Sequence, residues 1–272
     1  MALKVQTHRL PFNISRGIRR ALAMSLAVIL FLSVYQQSIR AVTIIQPMQE
    51  NKRITAQQRF EEGDRLRAQG TPESLKKAIE KYAEALVLFQ AVGDRERENS
   101  LLVTIGLGYS TLGEWQKAID HLNPALPFIR AAGDQQEEAS ILLIIGKMYH
   151  SLEKEPEALD YFSQSLLPSR ASGDHYGEAN SLFHVGQAHF AMQENEKAID
   201  SWNQSLPLFR TAGSRSGEAV TLASLGRLYV SQGEKHKAIG YFNQTLPLYK
   251  NLTKKDEAAL LNDLAELHYS LG

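Results

Sequence analysis

Histidines are the side chains of this chain best suited to acid–base or metal chemistry, because the sequence contains eight of them and no cysteine. A metal site needs several ligands on one surface, yet His184 and His189 are five residues apart and point to different faces of a helix. His150 and His268 stand alone in the sequence. The lack of cysteine excludes disulfides, thiolate ligands and a cysteine nucleophile within these residues. The sequence therefore predicts no metal site.

Catalytic and cofactor motifs are also missing from the sequence. We find no Ser/His/Asp set, no phosphate-binding glycine loop and no pair of carboxylates spaced for acid–base catalysis. The neighbouring carboxylates Glu137 and Glu138, and those of Glu153 and Glu155, are more simply interpreted as solvated helix ends. We predict no catalytic residue, no cofactor and no enzymatic activity in these 272 residues.

A repeat of 40 residues organises most of the chain. Its copies open at Gly93-Asp94, Gly133-Asp134, Gly173-Asp174 and Gly213-Ser214. A constant period of about 20 to 50 residues is typical of solenoids. In each copy, two stretches with apolar residues at three- and four-residue steps flank a polar turn, which predicts two helices, A and B. Glycine suits the end of helix B and Asp suits the N-cap of the next helix A, where Asp134 and Glu137 have the spacing of a capping box.

Small residues recur at one place in each helix of the repeat. A glycine inside a helix costs about 0.5–1 kcal/mol relative to alanine, so its recurrence indicates that helices A and B approach closely there. Large residues at neighbouring places predict the core. The small residues are Gly106, Gly146, Gly186 and Gly226 in helix A and Ala118, Ala158, Ala198 and Ala238 in helix B; the large ones are Tyr109, Tyr149, His189 and Tyr229 in helix A and Leu122, Phe162, Trp202 and Phe242 in helix B.

This order of small residue, tyrosine, Gly-Glu turn, alanine and aromatic residue resembles the tetratricopeptide repeat. The 40-residue length is similar to the kinesin-light-chain type of that repeat. The resemblance covers residues 54–272 and implies an all-α fold, a right-handed α-solenoid of helical hairpins. Arrays of this type also occur N-terminal to a caspase-like peptidase domain of the CHAT family in bacterial proteins.

The chain divides into an N-terminal segment and the repeats. We assign residues 1–41 to a signal peptide or N-terminal membrane anchor and residues 42–53 to a polar linker. The repeat at 54–92 is atypical, with an enlarged turn at Gly70–Glu73 and a charged helix A that suits an end cap. Full repeats follow at 93–132, 133–172, 173–212 and 213–252, and residues 253–272 supply helix A alone.

The N-terminal segment has the composition of a targeting signal. Five basic residues precede an apolar run from Ala21 to Tyr35, which as a helix would extend roughly 22 Å, less than the ~30 Å hydrocarbon core. That length favours a signal peptide over an uncleaved anchor or a buried cytosolic helix. Either of the first two would contact the membrane or the export machinery and place the solenoid outside the cytoplasm, in the periplasm, outside the cell or at the membrane.

Charge separates the same two parts of the chain. Residues 1–53 hold eight of the 30 Lys and Arg residues and one of the 30 Asp and Glu residues, which leaves 22 basic and 29 acidic groups in the remainder. A mildly acidic solenoid argues against a nucleic-acid partner.

The resemblance implies that helix A lines a concave groove for a protein or peptide ligand. Two cations, Lys147 and Arg227, in an otherwise apolar groove would suit an amphipathic peptide that carries acidic residues. Alternatively, Leu143, Phe183 and Phe190 pack between repeats. The four full copies lack the paired asparagines of kinesin-light-chain-like repeats and the Lys/Asn carboxylate clamp of chaperone-binding members, so neither ligand class is assigned. The candidate groove residues are Leu107, Leu143, Lys147, His150, Phe183, Gln187, Phe190, Arg227 and Val230.

The last helix A carries Leu260, Leu264 and Leu267, and no helix B follows to cover them. We expect these leucines to be exposed, which predicts that the chain is a fragment or self-associates through this helix. Three functions are thus open. The chain is a non-catalytic interaction scaffold, the substrate-selecting part of a larger CHAT-type peptidase, or a self-associating structural scaffold.

Overall fold

The computed structural model describes the backbone of residues 16–249 and 254–269. The chain divides into two compact units, Met1–Thr55 and Ala56–Gly272. Every element in the described residues is an α-helix, which confirms the all-α prediction. The helices are α1 (Arg16–Arg67), α2 (Pro72–Val92), α3 (Arg95–Thr111), α4 (Trp115–Ala132), α5 (Gln135–Ser151), α6 (Glu155–Ala171), α7 (His175–Ala191), α8 (Asn195–Thr211), α9 (Arg215–Ser231), α10 (Lys235–Tyr249) and α11 (Lys254–Tyr269).

Helix α1 is 52 residues long and contains Pro47. It runs through residues 42–53, which we interpreted as a linker, so these residues are helical. The apolar side chains described between Met24 and Tyr35 are each at least 51% exposed. Among the described residues, no helix is both long enough and apolar enough to cross a membrane. Residues 1–15 of the segment assigned as a signal peptide or anchor lie outside the described residues.

The second unit is a series of helical hairpins, as the 40-residue period predicts. Helices α3 and α4, α5 and α6, α7 and α8, and α9 and α10 pair in turn, and each hairpin also packs against the helix that follows it. Asp134 accepts a hydrogen bond from the backbone N–H of Glu137 at 2.8 Å, as an N-cap does. The reciprocal capping box forms at Thr71 and Ser74, at the start of α2.

Each hairpin closes on a contact between a helix A glycine and a large helix B side chain. A Cβ on Gly186 would lie 2.5 Å from the Trp202 ring, and a Cβ on Gly226 would lie 2.3 Å from the Phe242 ring. The same contact joins Gly63 to Tyr82, Gly106 to Leu122 and Gly146 to Phe162. Glycine is therefore required at this place by the neighbouring helix, as the sequence predicts.

Salt bridges join successive hairpins at a second recurring place. An arginine near the end of helix B bonds through Nε to a glutamate in the first turns of the next helix A, at 2.6 Å in each case. The glutamates are largely buried and the arginines are half-exposed. We call these pairs the arginine ladder, which consists of Arg130–Glu138, Arg170–Glu178 and Arg210–Glu218.

The expectation for the last helix is wrong. Leu260, Leu264 and Leu267 are at most 7% exposed, in one hydrophobic cluster with Phe242 and Tyr249 of α10. The three leucines lie on the side of α11 that faces the preceding hairpin, and so they need no following helix to bury them. The exposed apolar residues of α11 include Leu261 instead. The self-association prediction therefore no longer rests on these leucines.

The glycine contact can be tested with two Gly→Ala substitutions. Gly226→Ala forces a methyl group into the Phe242 ring, and we expect it to lower the free energy of unfolding by about 1–3 kcal/mol. Gly240→Ala in α10, where an added Cβ meets no atom within 4 Å, should raise it by about 0.5–1 kcal/mol through helix propensity. Denaturant titration of both variants measures the difference. An equal gain in the free energy of unfolding for Gly226→Ala and Gly240→Ala would contradict the close contact between Gly226 and Phe242.

Candidate functional site

Residues of helix A form the exposed part of the groove. Lys147 and Gln187 occupy one place on the neighbouring helices α5 and α7, which contact each other directly. Leu107, Phe190 and Val230 are between 38% and 42% exposed, so each offers apolar surface to a ligand. We call the set of Leu107, Lys147, His150, Gln187, Phe190, Arg227 and Val230 the groove surface.

Two of the predicted groove residues are buried instead. Leu143 and Phe183 are 7–8% exposed and belong to hydrophobic clusters of the core. The structure thus places both where they pack between helices. Phe190 combines the two roles, because its ring lies 5.9 Å from that of Trp202 while a substantial part of it stays exposed.

Lys147 is a half-buried cation on the groove surface. Its ammonium group has no hydrogen bond or ion pair with any residue that the structure describes. Burial lowers the pKa of Lys147, because the charged form loses part of its hydration without gaining a counterion. An ammonium group in this situation can bind an anion by donating hydrogen bonds to it.

His184 lies beside Lys147 and does not add a charge. Its ring stacks on Phe162 at 5.1 Å between centroids, and Nδ1 donates to Oε1 of Gln187 at 2.7 Å. The pKa of His184 is lowered to about 3, mainly by burial and then by the charge of Lys147, with a smaller effect of the nearby His150, against the hydrogen bond to Gln187. The imidazole is therefore neutral. Sequence reasoning counted His184 only among scattered histidines, and its position beside Phe183 was the signal that could have marked it as buried.

The hydrogen bond from His184 fixes the orientation of the Gln187 amide. Because the carbonyl oxygen accepts from the imidazole, the NH2 group remains for other partners. Lys147 and Gln187 thus present hydrogen-bond donors from adjacent helices, and we call this pair the donor corner. Donors without acceptors suit a carboxylate, whose oxygens only accept hydrogen bonds when it is ionised.

The remaining titratable groove residues already have partners. Nδ1 of His150 lies 2.8 Å from Oε2 of Glu155. Nε of Arg227 lies 3.9 Å from Oδ2 of Asp263. Both side chains are well exposed, so this ion pair is weak. The charge that is least compensated within the groove surface is therefore that of Lys147.

A metal centre finds no support in the described part of the chain. Within it, no group of three or more His, Asp or Glu side chains is placed to hold a metal ion. The CHAT peptidase hypothesis stays a prediction, because its His/Cys pair would lie outside this sequence.

Comparisons with known proteins concern the repeats. The family model of the tetratricopeptide repeat matches residues 97–167, 137–211 and 177–251, together more than half of the chain. No curated protein matches the sequence.

Several solved structures share the fold at low sequence identity. Apo RapI is similar with a TM-score of 0.69 and 19% identity, over 81% of this chain and 62% of RapI. A putative kinesin light chain of nearly identical TPR-like repeats from Podosopora anserina is similar with a TM-score of 0.57 and 13% identity, over 73% of this chain and 96% of that one. A Rap protein complexed with competence and sporulation factor has a TM-score of 0.54 and 15% identity, over 76% of this chain and 56% of its own. The chain thus spans less than two thirds of either Rap protein.

The partly buried imidazole of His184 predicts a pH dependence of stability. The folded protein keeps His184 neutral down to a pKa of about 3, whereas the unfolded chain binds a proton near pH 6.5. Stability is therefore lost as the pH falls through this window, by about 1.5 kcal/mol between pH 6.5 and pH 5 for this one group.

Substitution of His184 isolates that contribution. His184→Phe keeps a ring against Phe162, and we expect its free energy of unfolding to fall less than that of the wild type between pH 6.5 and pH 5. His236→Phe, at an exposed position of α10, is the control and should keep the wild-type dependence. Denaturant titrations at the two pH values measure this, and parallel behaviour of all three proteins would contradict the assignment.

Proposed function

The chain belongs to the tetratricopeptide repeat family, and from this premise we propose that it is a protein-interaction module that binds an acidic peptide segment of a partner in its groove. The observation that carries the proposal is the half-buried ammonium group of Lys147, which no residue that the structure describes pairs with. The module and its partner would bind each other without a chemical reaction, because the groove surface offers groups for binding only.

The energetics of Lys147 support a binding role. A cation that loses hydration without gaining a counterion destabilises the folded chain, and a residue that costs stability is typical of a functional surface. A ligand carboxylate at the donor corner would supply the missing counterion. The ion pair formed on binding would offset the hydration free energy that Lys147 loses on folding. It would also raise the pKa of Lys147 from its lowered value.

The apolar part of the groove surface supports a peptide rather than a free anion. Leu107, Phe190 and Val230 lie on the helices α3, α7 and α9, on both sides of Lys147 along the repeats. A peptide that carries apolar side chains beside an acidic one would contact both kinds of group. The Rap protein that was solved with competence and sporulation factor supports ligand binding by a solenoid of this fold.

Lys147→Met tests this function, because methionine keeps most of the side-chain volume and removes the charge. Peptides selected from a phage-displayed library on the full chain should be enriched in Asp and Glu. We expect the variant to bind them about tenfold more weakly, about 1.4 kcal/mol, in isothermal titration calorimetry. We also expect it to be more stable than the wild type by about 1 kcal/mol, a value limited by solvent screening.

A charge far from the groove provides the control. Lys77→Met removes an exposed cation of α2 and should leave both affinity and stability unchanged. Weaker binding by Lys77→Met to the same degree would indicate general charge attraction in place of a specific site. Selected peptides without acidic residues would remove the proposal.

We also propose that residues 1–41 direct the chain to the export machinery or to the membrane. Supporting this, the apolar side chains between Met24 and Tyr35 are mostly exposed, and an apolar surface of this kind needs a further apolar environment. Arg16, Arg19 and Arg20 precede them, as in a targeting signal.

Export can be measured with alkaline phosphatase, which is active only outside the bacterial cytoplasm, fused after Gly272. We expect activity from the wild-type fusion and at least a tenfold loss with Leu30→Arg, because a charge interrupts the apolar run. Val87→Arg, at an exposed apolar position of α2, should have no effect. The mass of the product distinguishes a cleaved signal from an anchor. Phosphatase activity that appears only after the cells are lysed would contradict both a cleaved signal and an anchor.

A further inference from the structure

A cavity of about 410 Å³ lies at one end of the groove surface, beside Leu107. It is bounded by the end of α1, the first half of α2 and the C-terminal half of α3. Its volume lies within the range of about 300–1,000 Å³ that is usual for ligand pockets. We call it the α3 pocket, and its apolar lining includes Leu75, Leu107, Gly108 and Leu112.

Gly108 contributes only backbone to the lining of the α3 pocket. The residues at the same place in the next three repeats are Met148, Ala188 and Leu228, and each of these side chains is buried. Met148 belongs to the same hydrophobic cluster as Ile119, which is the counterpart of Ile79 one period later. A Cβ on Gly108 would lie 3.0 Å from Ile79, so a methionine at this place would have to displace Ile79 or extend into the α3 pocket.

The polar groups around the α3 pocket already have partners within the chain. Tyr82 donates its hydroxyl to Asp64 at 2.6 Å, and Arg67 lies 3.3 Å from the same carboxylate. The hydroxyls of Thr104 and Thr111 donate to backbone carbonyls one helical turn earlier. A polar ligand would therefore gain little there, whereas an apolar one would bury its surface without leaving these groups unsatisfied.

We propose that the α3 pocket receives a branched aliphatic or aromatic side chain of the peptide that binds in the groove. This inference rests on the proposed function, because it assigns the apolar anchor of the same ligand whose carboxylate lies at Lys147. Burial of one such side chain is a common source of affinity at peptide-binding grooves.

The repeat period sets the distance between anchor and carboxylate. Leu107 and Lys147 occupy equivalent places in α3 and α5, and the distance between these helices is at least the roughly 8–10 Å of directly packed helices. An extended peptide covers about 3.3–3.6 Å per residue. The apolar residue and the acidic residue of the ligand are therefore at least about three positions apart in its sequence.

Small probes test the α3 pocket independently of the donor corner. N-acetyl-leucinamide and N-acetyl-phenylalaninamide are titrated into the full chain labelled with nitrogen-15. We expect saturable shifts at the backbone amides of Thr104, Leu107 and Thr111. Gly108→Met, which introduces the side chain that the next repeat carries, should abolish these shifts, whereas Gly240→Met, at an exposed glycine of α10, should keep them.

The outcomes separate this inference from the proposed function. Lys147→Met should leave the probe shifts unchanged, since the probes carry no charge. Absence of saturable shifts in the wild type, or their persistence in Gly108→Met, would overturn the pocket whatever the result for acidic peptides. If circular dichroism shows that Gly108→Met does not fold, Gly108→Ala replaces it, with a partial loss of the shifts expected and full retention contradicting the pocket.

Spacing is tested with short peptides. The probes are Ac-Leu-Gly-Gly-Glu-NH2 and its reverse order Ac-Glu-Gly-Gly-Leu-NH2, compared with Ac-Gly-Leu-Glu-Gly-NH2. We expect one of the two spaced peptides to bind at least five times more tightly than the peptide with adjacent residues, and to lose this advantage in both Gly108→Met and Lys147→Met. Equal affinity of all three peptides, with the neutral probes still bound, would indicate a pocket for a free apolar molecule and would overturn the assignment to a peptide side chain.

Discussion

The close approach of helices A and B over a single glycine is the constraint on which this solenoid depends. Gly186 lies against the Trp202 ring and Gly226 against the Phe242 ring, at distances that leave no room for a methyl group. Because the contact repeats every 40 residues, each hairpin closes in a similar way. The groove surface is the side of helix A that this contact leaves free, so the position of Lys147 follows from the packing of Gly146 against Phe162.

Features that recur with the repeat could be predicted from the sequence. The glycine place, the hairpins and the N-cap at Asp134 all follow from residue types at a fixed period. The expectations about the fold that differ from the structure concern the ends of the array, where the period gives no guide. Residues 42–53 are polar in composition and yet helical, and Leu260 is buried because the side of a helix that it occupies depends on the preceding hairpin.

The candidate site shows the same division. The repeat predicts which residues share a place on helix A, and so Lys147 and Gln187 could be identified together. Their chemistry could not, because it depends on neighbours from other elements. The ring of Phe162 desolvates His184, His184 orients Gln187, and no described acidic group reaches Lys147. Burial of Leu143 and Phe183 likewise follows from packing between repeats, which a single helical period does not reveal.

The arginine ladder lies at the junctions between hairpins, where a solenoid bends. Each pair, such as Arg170–Glu178, joins one hairpin to the next, and the curvature of a solenoid is the sum of small rotations at these junctions. The arginines are half-exposed, so dissolved salt screens the pairs. Because the same pair occurs at three junctions, we expect a rise in ionic strength to weaken all three together and so to change the width of the groove.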